Sequence, residues 1–100
     1  MKIILAADHR GFKLKEAIKR FLVERGSDVE DLGAFSYDAE DDYPDFAYSA
    51  ALEVSRAPGE RRGIFFCGSG IGMDVLANKI KSVRATVVSS PAAARHARAN

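Results

Sequence analysis

The sequence has a single cysteine, no tryptophan, and an N-terminal apolar run too short for a signal peptide or a membrane span. One cysteine excludes an internal disulfide, which fits a reducing compartment, so we expect a cytoplasmic location. With 15 basic and 14 acidic residues, the chain also lacks the excess positive charge that binds nucleic acid or anionic membranes. We therefore expect neither of them as a partner.

The length of 100 residues predicts one domain, residues 1–100, and excludes two. A domain of this size buries only about two-thirds of the surface that its unfolded chain exposes, so it gains stability from a partner subunit. The chain stops inside its last predicted helix. We expect a final strand and helix to be absent from this sequence.

Apolar patterning alternates between strand and helix four times. Strands are predicted over residues 3–7, 29–32, 63–67 and 84–88, and helices over 14–22, 44–54, 73–80 and 92–98. In the first helix, the spacing of Leu14, Ile18 and Phe21 predicts a buried face, with Lys15 exposed. Such alternation predicts an α/β fold with a parallel sheet and helices on both of its faces.

A glycine-rich turn follows the third predicted strand, with the sequence Cys67-Gly68-Ser69-Gly70-Ile71-Gly72. Its N–H groups would lie at a helix N-terminus, where the dipole favours negative charge, and glycines let a ligand approach the backbone. The turn can therefore bind a phosphate or an oxyanion. It lacks the P-loop lysine and a dinucleotide fingerprint, so a tight turn that packs helix against sheet is the lesser alternative.

Cys67 ends the strand directly before this turn. A helix N-terminus favours the thiolate, which can take a proton from carbon or attack a carbonyl. A buried cysteine that behaves as a small apolar residue fits the same position equally well. Ser69 can donate a hydrogen bond to a substrate oxygen or satisfy the backbone of the turn.

A second polar strand end, Asp8-His9-Arg10-Gly11, follows the first predicted strand. Because ligands bind beyond the carboxyl ends of parallel strands, we expect this segment to share one crevice with the glycine turn. Asp8 can move a proton or cap a turn, and His9 can bind phosphate or pack at the surface. In the acidic loop that follows the second strand, Tyr43 can stack on a ligand.

Four blocks of the sequence occur in the same order and at the same spacing in type B ribose-5-phosphate isomerases, whose superfamily includes the subunits of galactose-6-phosphate isomerase. The blocks are Asp8-His9-x-Gly11-Phe12-x-Leu14-Lys15, Asp42-Tyr43-Pro44-Asp45, Cys67-Gly68-Ser69-Gly70-Ile71-Gly72-Met73 and Ala77-Asn78-Lys79. The chain resembles this family over its whole length, and four separated blocks are more specific than any one of them.

The resemblance implies a Rossmann-like three-layer α/β/α sandwich and an aldose–ketose isomerase of the pentose phosphate pathway that uses neither metal nor cofactor. It implies a homodimer or homotetramer whose shared active sites bind a small phosphorylated sugar. By this resemblance, Cys67 removes the C2 proton to give an enediolate, Ser69 and the turn hold the oxyanion, and Asp8 assists ring opening. The residues implied to contact the sugar or its phosphate are His9, Arg10, Tyr43, Gly68, Gly70, Ile71, Gly72 and Asn100.

The chain departs from the family pattern at two positions. Asn100 stands where the family has a histidine that helps to open the sugar ring. His96, one helical turn earlier on the same face, is expected to take over part of that role. Arg10 replaces a small apolar residue, and we expect it to contact phosphate or carboxylate or to alter substrate choice. The family's phosphate-binding arginines lie further downstream.

Three functions are compatible with these features. The first is the isomerisation of ribose 5-phosphate to ribulose 5-phosphate. The second is a non-catalytic, sugar-phosphate-binding or partner subunit of a hexose-6-phosphate isomerase complex, and the third is a nucleotide- or flavin-binding domain. The retained Cys67 favours the enzyme and Asn100 favours the partner subunit, while the missing nucleotide fingerprints disfavour the third.

Overall fold

The computed structural model describes residues 1–99, in which three parallel strands and four helices form a layered α/β fold. The elements are β1 (Lys2–Ala7), α1 (Phe12–Glu24), β2 (Asp28–Asp31), α2 (Pro44–Arg56), β3 (Arg61–Phe66), α3 (Ile71–Asn78) and α4 (Pro91–Ala99). Strand β1 is central and pairs in parallel with β2 on one side and β3 on the other. The predicted Rossmann-like arrangement is confirmed, and the carboxyl ends of the three strands lie at one edge of the sheet.

The hydrophobic core lies around β1, whose residues Ile4, Leu5, Ala6 and Ala7 are fully buried. Ile4 and Ala6 pack against Ala50 of α2, and alternate strand residues point to the opposite face, where α1 lies. Three alanines on the inner face of α2 are also fully buried: Ala47, Ala50 and Ala51. Small side chains on this face let the helix lie close to the sheet.

Helix α1 turns a different face to the sheet than its apolar spacing predicts. Lys15 is completely buried, whereas Leu14 is 58% and Phe21 is 52% exposed. The Lys15 ammonium donates to the two carboxylate oxygens of Asp31 at 2.8 and 2.7 Å and to the Ala34 carbonyl at 2.6 Å. A buried ammonium needs such acceptors, so this ion pair determines which side of α1 faces inward.

Asp31, the last residue of β2, is shared by two lysines. Lys19 donates to it at 2.9 Å, as does the backbone N–H of Gly33. Burial raises the pKa of Asp31, but the hydrogen bonds from Lys15, Gly33 and Lys19 outweigh burial and hold this pKa below its usual value. The hydrogen bond to Asp31 raises the pKa of Lys19 above its usual value. The network ties α1 to the loop that follows β2.

Residues 84–88, predicted as a fourth strand, form no strand within residues 1–99. The side-chain amide of Asn78 takes the place of a strand neighbour, because it accepts the Ala85 N–H and donates to the Ala85 carbonyl, both at 2.9 Å. A cavity of about 900 Å³ lies between this segment and β3, and Ile64 is 38% exposed. The β-branched residues have the propensity for a strand, but propensity does not supply a pairing partner.

Two further helix boundaries carry residues that favour the end or the start of a helix. Gly26 adopts a positive φ of 78° just after α1, where a glycine favours helix termination. At the start of α4, the Ser90 hydroxyl accepts the Ala93 N–H at 3.0 Å and so caps the helix. Among residues 1–99, no helix combines the length and the apolar character that a membrane span requires.

Candidate active site

The turns that follow β1 and β3 meet directly. The Asp8 N–H donates to the Phe66 carbonyl at 3.3 Å, and a methyl group on Gly11 would lie only 2.4 Å from that carbonyl. Only a glycine therefore allows α1 to begin against the end of β3. The two strand ends that the sequence predicts to share one crevice, Asp8 to Gly11 and the glycine turn, are neighbours in the structure.

Cys67 lies at the N-terminal end of α3, with its side chain only partly exposed. Its Sγ accepts a hydrogen bond from the Gly70 N–H at 2.9 Å. Gly70 is the N-cap of α3 and adopts a φ of 81°, which suits a residue without Cβ. The sulfur atom therefore serves as a hydrogen-bond acceptor at the N-terminus of α3.

Ser69 lies two residues beyond Cys67 and is exposed. Its hydroxyl oxygen accepts the Ile71 N–H at 3.2 Å, so the hydroxyl satisfies part of the turn. The hydroxyl proton is not used by that bond and can be donated to a ligand oxygen. Both sequence-based interpretations of Ser69 are therefore compatible with one geometry.

The side chains of Arg10 and Tyr43 pack against two glycines of the turn, Gly68 and Gly72 respectively. A methyl group on Gly68 would be 2.9 Å from Cδ and 3.4 Å from a guanidinium nitrogen of Arg10. A methyl group on Gly72 would be 2.7 Å from Cζ of the Tyr43 ring. The absence of Cβ atoms thus brings one cation and one aromatic ring onto the backbone beside Cys67.

Asp8 is almost completely buried, at 5% exposure. Its Oδ1 accepts the backbone N–H groups of Arg10 at 2.9 Å and of Gly11 at 3.0 Å, so this oxygen holds the turn before α1. Within residues 1–99, Oδ2 has no hydrogen-bond partner. Oδ1 therefore has the predicted turn-capping role. Proton transfer by Oδ2 stays a prediction.

His9 is held by Asp41, a residue that sequence reasoning left within an acidic loop. The Asp41 Oδ1 lies 2.8 Å from the His9 backbone N and 2.8 Å from its Nδ1. The Tyr37 ring meets the imidazole edge to face, with centroids 6.0 Å apart. Nothing in the sequence distinguishes Asp41 from Asp42, because the contact depends on how the loop folds back over the first turn.

The cavity beside β3 extends the site towards α4. It is lined by Cys67, Gly68, Ser69 and Gly70 on one side and by Ala94 and Arg98 of α4 on the other. His96 is exposed on a different face of α4, two residues from each of these, so its proposed role stays a prediction. Asn100 lies outside the described residues.

Sequence and structure comparisons agree with this arrangement. The sequence profile of the Ribose/Galactose Isomerase family matches residues 3–100. The probable ribose-5-phosphate isomerase B of Mycoplasma genitalium is 43% identical over 96% of this chain, and ribose-5-phosphate isomerase B of Escherichia coli K12 is 45% identical over 97%. The crystal structure of the M. genitalium enzyme with bound ribulose-5-phosphate superposes with a TM-score of 0.93, at 42% identity over 97% of this chain.

The chain spans less than two thirds of these relatives, namely 63% of the M. genitalium sequence, 64% of the E. coli sequence and 64% of the crystallised chain. The family match nevertheless reaches every described element and covers both turns of the site. Nearly full-length coverage of this chain at this identity means that it belongs to the ribose/galactose isomerase family.

Proposed function

We propose that the protein interconverts an aldose phosphate and a ketose phosphate, with ribose 5-phosphate and ribulose 5-phosphate as the substrate pair. The observation that carries this proposal is the Cys67 Sγ at 2.9 Å from the Gly70 N–H, at the N-terminus of α3. This is a base beside a group of N–H donors, which is what proton abstraction next to a carbonyl requires. Membership of the family supports the sugar-phosphate class.

The proposed reaction begins once the sugar ring is open. The Cys67 thiolate removes the proton on C2, the electron pair of that C–H bond forms the C1=C2 bond, and O1 takes the negative charge. The Ser69 hydroxyl and the N–H groups of the turn stabilise this enediolate. Transfer of the 2-hydroxyl proton to O1 and return of the first proton from Cys67 to C1 give the ketose.

The other residues of the site hold the substrate or help to open its ring. Asp8 acts on the ring oxygen through Oδ2, while His9, Arg10 and Tyr43 contact the sugar or its phosphate. The backbone of Gly68, Gly70, Ile71 and Gly72 lies against the substrate. Asn100 also contacts the substrate, and His96 takes part in ring opening.

We also propose a cytoplasmic homodimer or homotetramer with shared active sites. Support for an assembly comes from apolar side chains that α1 leaves exposed, notably Leu14 at 58% and Phe21 at 52%. A domain of this size gains from burying such surface against another subunit.

The test is turnover of ribose 5-phosphate to ribulose 5-phosphate by the wild-type chain, repeated with allose 6-phosphate and galactose 6-phosphate. We expect Cys67→Ala and Cys67→Ser to lower kcat by roughly 10²- to 10⁴-fold, the usual contribution of a general base. Substrate binding, measured by calorimetry, and the urea midpoint should stay close to the wild type, because the thiol makes one hydrogen bond with the turn.

Two results would contradict the proposal. If Cys67→Ala retained wild-type turnover, the thiol would not be the base. If the wild type bound sugar phosphates and converted none of them, the non-catalytic partner subunit would be the better description.

A further inference from the structure

Asp41, a loop residue, contacts both the backbone and the ring of His9. A single oxygen, Asp41 Oδ1, accepts the His9 backbone N–H at 2.8 Å and lies 2.8 Å from the ring Nδ1. A carboxylate oxygen in this position can only accept, so the proton of the second bond has to come from Nδ1. The geometry therefore selects the imidazole form that carries its proton on Nδ1.

The surroundings keep this contact in place. The Asp41 side chain is only 9% exposed, and its second oxygen, Oδ2, is buried without a hydrogen-bond partner in the described part of the chain. Asp41 therefore has its hydrogen-bonding capacity directed at His9 alone. If Asp41 only anchored the loop, its hydrogen bond to the His9 backbone N–H would be sufficient. The second contact, from the same oxygen to the ring Nδ1, orients the imidazole.

The ring nitrogen on the other side is left available. Within residues 1–99, His9 Nε2 makes no hydrogen bond, and the ring packs edge to face with Tyr37. The imidazole is 20% exposed, and its residue lies between Asp8 and Arg10 in the turn whose first N–H donates to the Phe66 carbonyl, directly before Cys67. With Nδ1 protonated, a neutral His9 presents Nε2 as an acceptor for a hydroxyl group.

We propose that Asp41 is a positioning residue that fixes the proton of His9 on Nδ1 and so presents Nε2 as the acceptor for a sugar hydroxyl. This role rests on the proposed function, since the hydroxyl belongs to the sugar phosphate. Asp41 acts through His9 and does not itself touch the substrate.

The decisive measurement is the tautomer of His9, read from two-bond ¹H–¹⁵N correlations of the ring in uniformly ¹⁵N-labelled protein. The chain has two histidines, so His96→Gln leaves His9 as the only source of these signals. At a pH where the ring is neutral, we expect Nδ1–H in this background and a shift towards Nε2–H when Asp41→Ala is added. Glu40→Gln, an exposed neighbour that loses one negative charge, should leave the tautomer unchanged.

A dominant Nε2–H form in the presence of Asp41 would overturn the proposal, and this result needs no folded Asp41 variant. An unchanged tautomer in a folded Asp41→Ala protein would overturn it as well.

Enzyme turnover provides a second, independent test of the role of Asp41. We expect kcat/KM of Asp41→Ala to fall by roughly 10- to 100-fold, the usual effect of removing a group that orients a functional histidine, and Glu40→Gln to match the wild type. Unchanged kcat/KM in Asp41→Ala would contradict the role in substrate contact. If the wild type were inactive, the proposed function would fail, while the tautomer would still decide whether Asp41 positions His9.

Discussion

At the scale of single residues, Arg10 can occupy its position only because Gly68 has no side chain. Its guanidinium lies against the backbone of the glycine turn, and within residues 1–99 it forms no ion pair with a carboxylate. A cation that is not neutralised by the protein, beside a group of N–H donors, is suited to an anionic part of a ligand.

We expect Arg10→Gln to raise KM for ribose 5-phosphate roughly tenfold with little change in kcat, because one charge-assisted contact is worth about 1.4 kcal/mol. Steady-state kinetics at several salt concentrations would measure this, and the effect should shrink as salt rises. Arg20→Gln, on the exposed side of α1, is the matched control. Equal kinetics for Arg10→Gln and the wild type would exclude a substrate contact.

The contacts of site residues could be predicted from the sequence where a motif fixes the backbone. They could not be predicted where the path of a loop determines which side chains meet. The spacing of Cys67, Ser69 and Gly70 predicted a thiol beside a helix N-terminus, and the Gly70 N–H now donates to that thiol. Asp41 was not distinguishable from Asp42, since only the path of the loop brings one of them onto His9.

At the scale of elements, the rotation of α1 depends on Lys15. Lys15 and Lys19 both donate to Asp31, but Lys15 is fully buried whereas the Lys19 side chain is 38% exposed. The two lysines therefore offer a comparison within one network, in which the acceptor is the same and the burial differs.

We expect Lys15→Met to lower the free energy of unfolding by about 3 kcal/mol, because removing one partner of a buried ion pair leaves the other uncompensated. Lys19 can still pair with Asp31, which keeps the loss at the lower end of the usual range. Lys19→Met should cost less than about 1 kcal/mol, as expected for an exposed pair. Urea unfolding of both variants tests this, and equal losses would contradict the assigned role of burial.

The elements themselves were largely predictable, because apolar runs and helical spacing specify β1, β3, α2 and α3 locally. The exceptions were the inward face of α1 and the strand expected over residues 84–88. Both depend on side-chain contacts made outside the element concerned: Asp31 attracts Lys15 inward, and Asn78 binds the Ala85 backbone in place of a strand. Hydrophobic periodicity contains no information about either partner.

At the scale of the whole molecule, the shared carboxylate makes stability depend on pH. The pKa of Asp31 is lower in the folded chain than its usual value of about 3.9, so the unfolded chain binds more protons in acid. Its contribution is complete above the usual pKa and is lost as the pH falls through the lower, folded value. The raised pKa of Lys19 acts in the opposite range, because its contribution is present below about pH 10.4 and is lost as the pH rises further.

We expect Asp31→Asn to be less stable than the wild type by about 3 kcal/mol at pH 7, since it leaves Lys15 buried without its counter-charge. Between about pH 5 and pH 2 the variant should lose less additional stability than the wild type does, because the titrating group is gone. Urea midpoints over this range measure the difference, with Asp28→Asn, exposed on the same strand, as the control. Parallel pH curves for the wild type and Asp31→Asn would rule out this source of acid sensitivity.

The single cysteine has a practical consequence for the whole molecule. Cys67 is the only thiol in the sequence and lines the cavity beside β3. A thiol-directed fluorophore or a fluorinated tag will therefore label one position without any engineering. The label will lie where the turns after β1 and β3 meet. Its fluorescence or NMR signal will therefore report ligand binding and conformational change at that place.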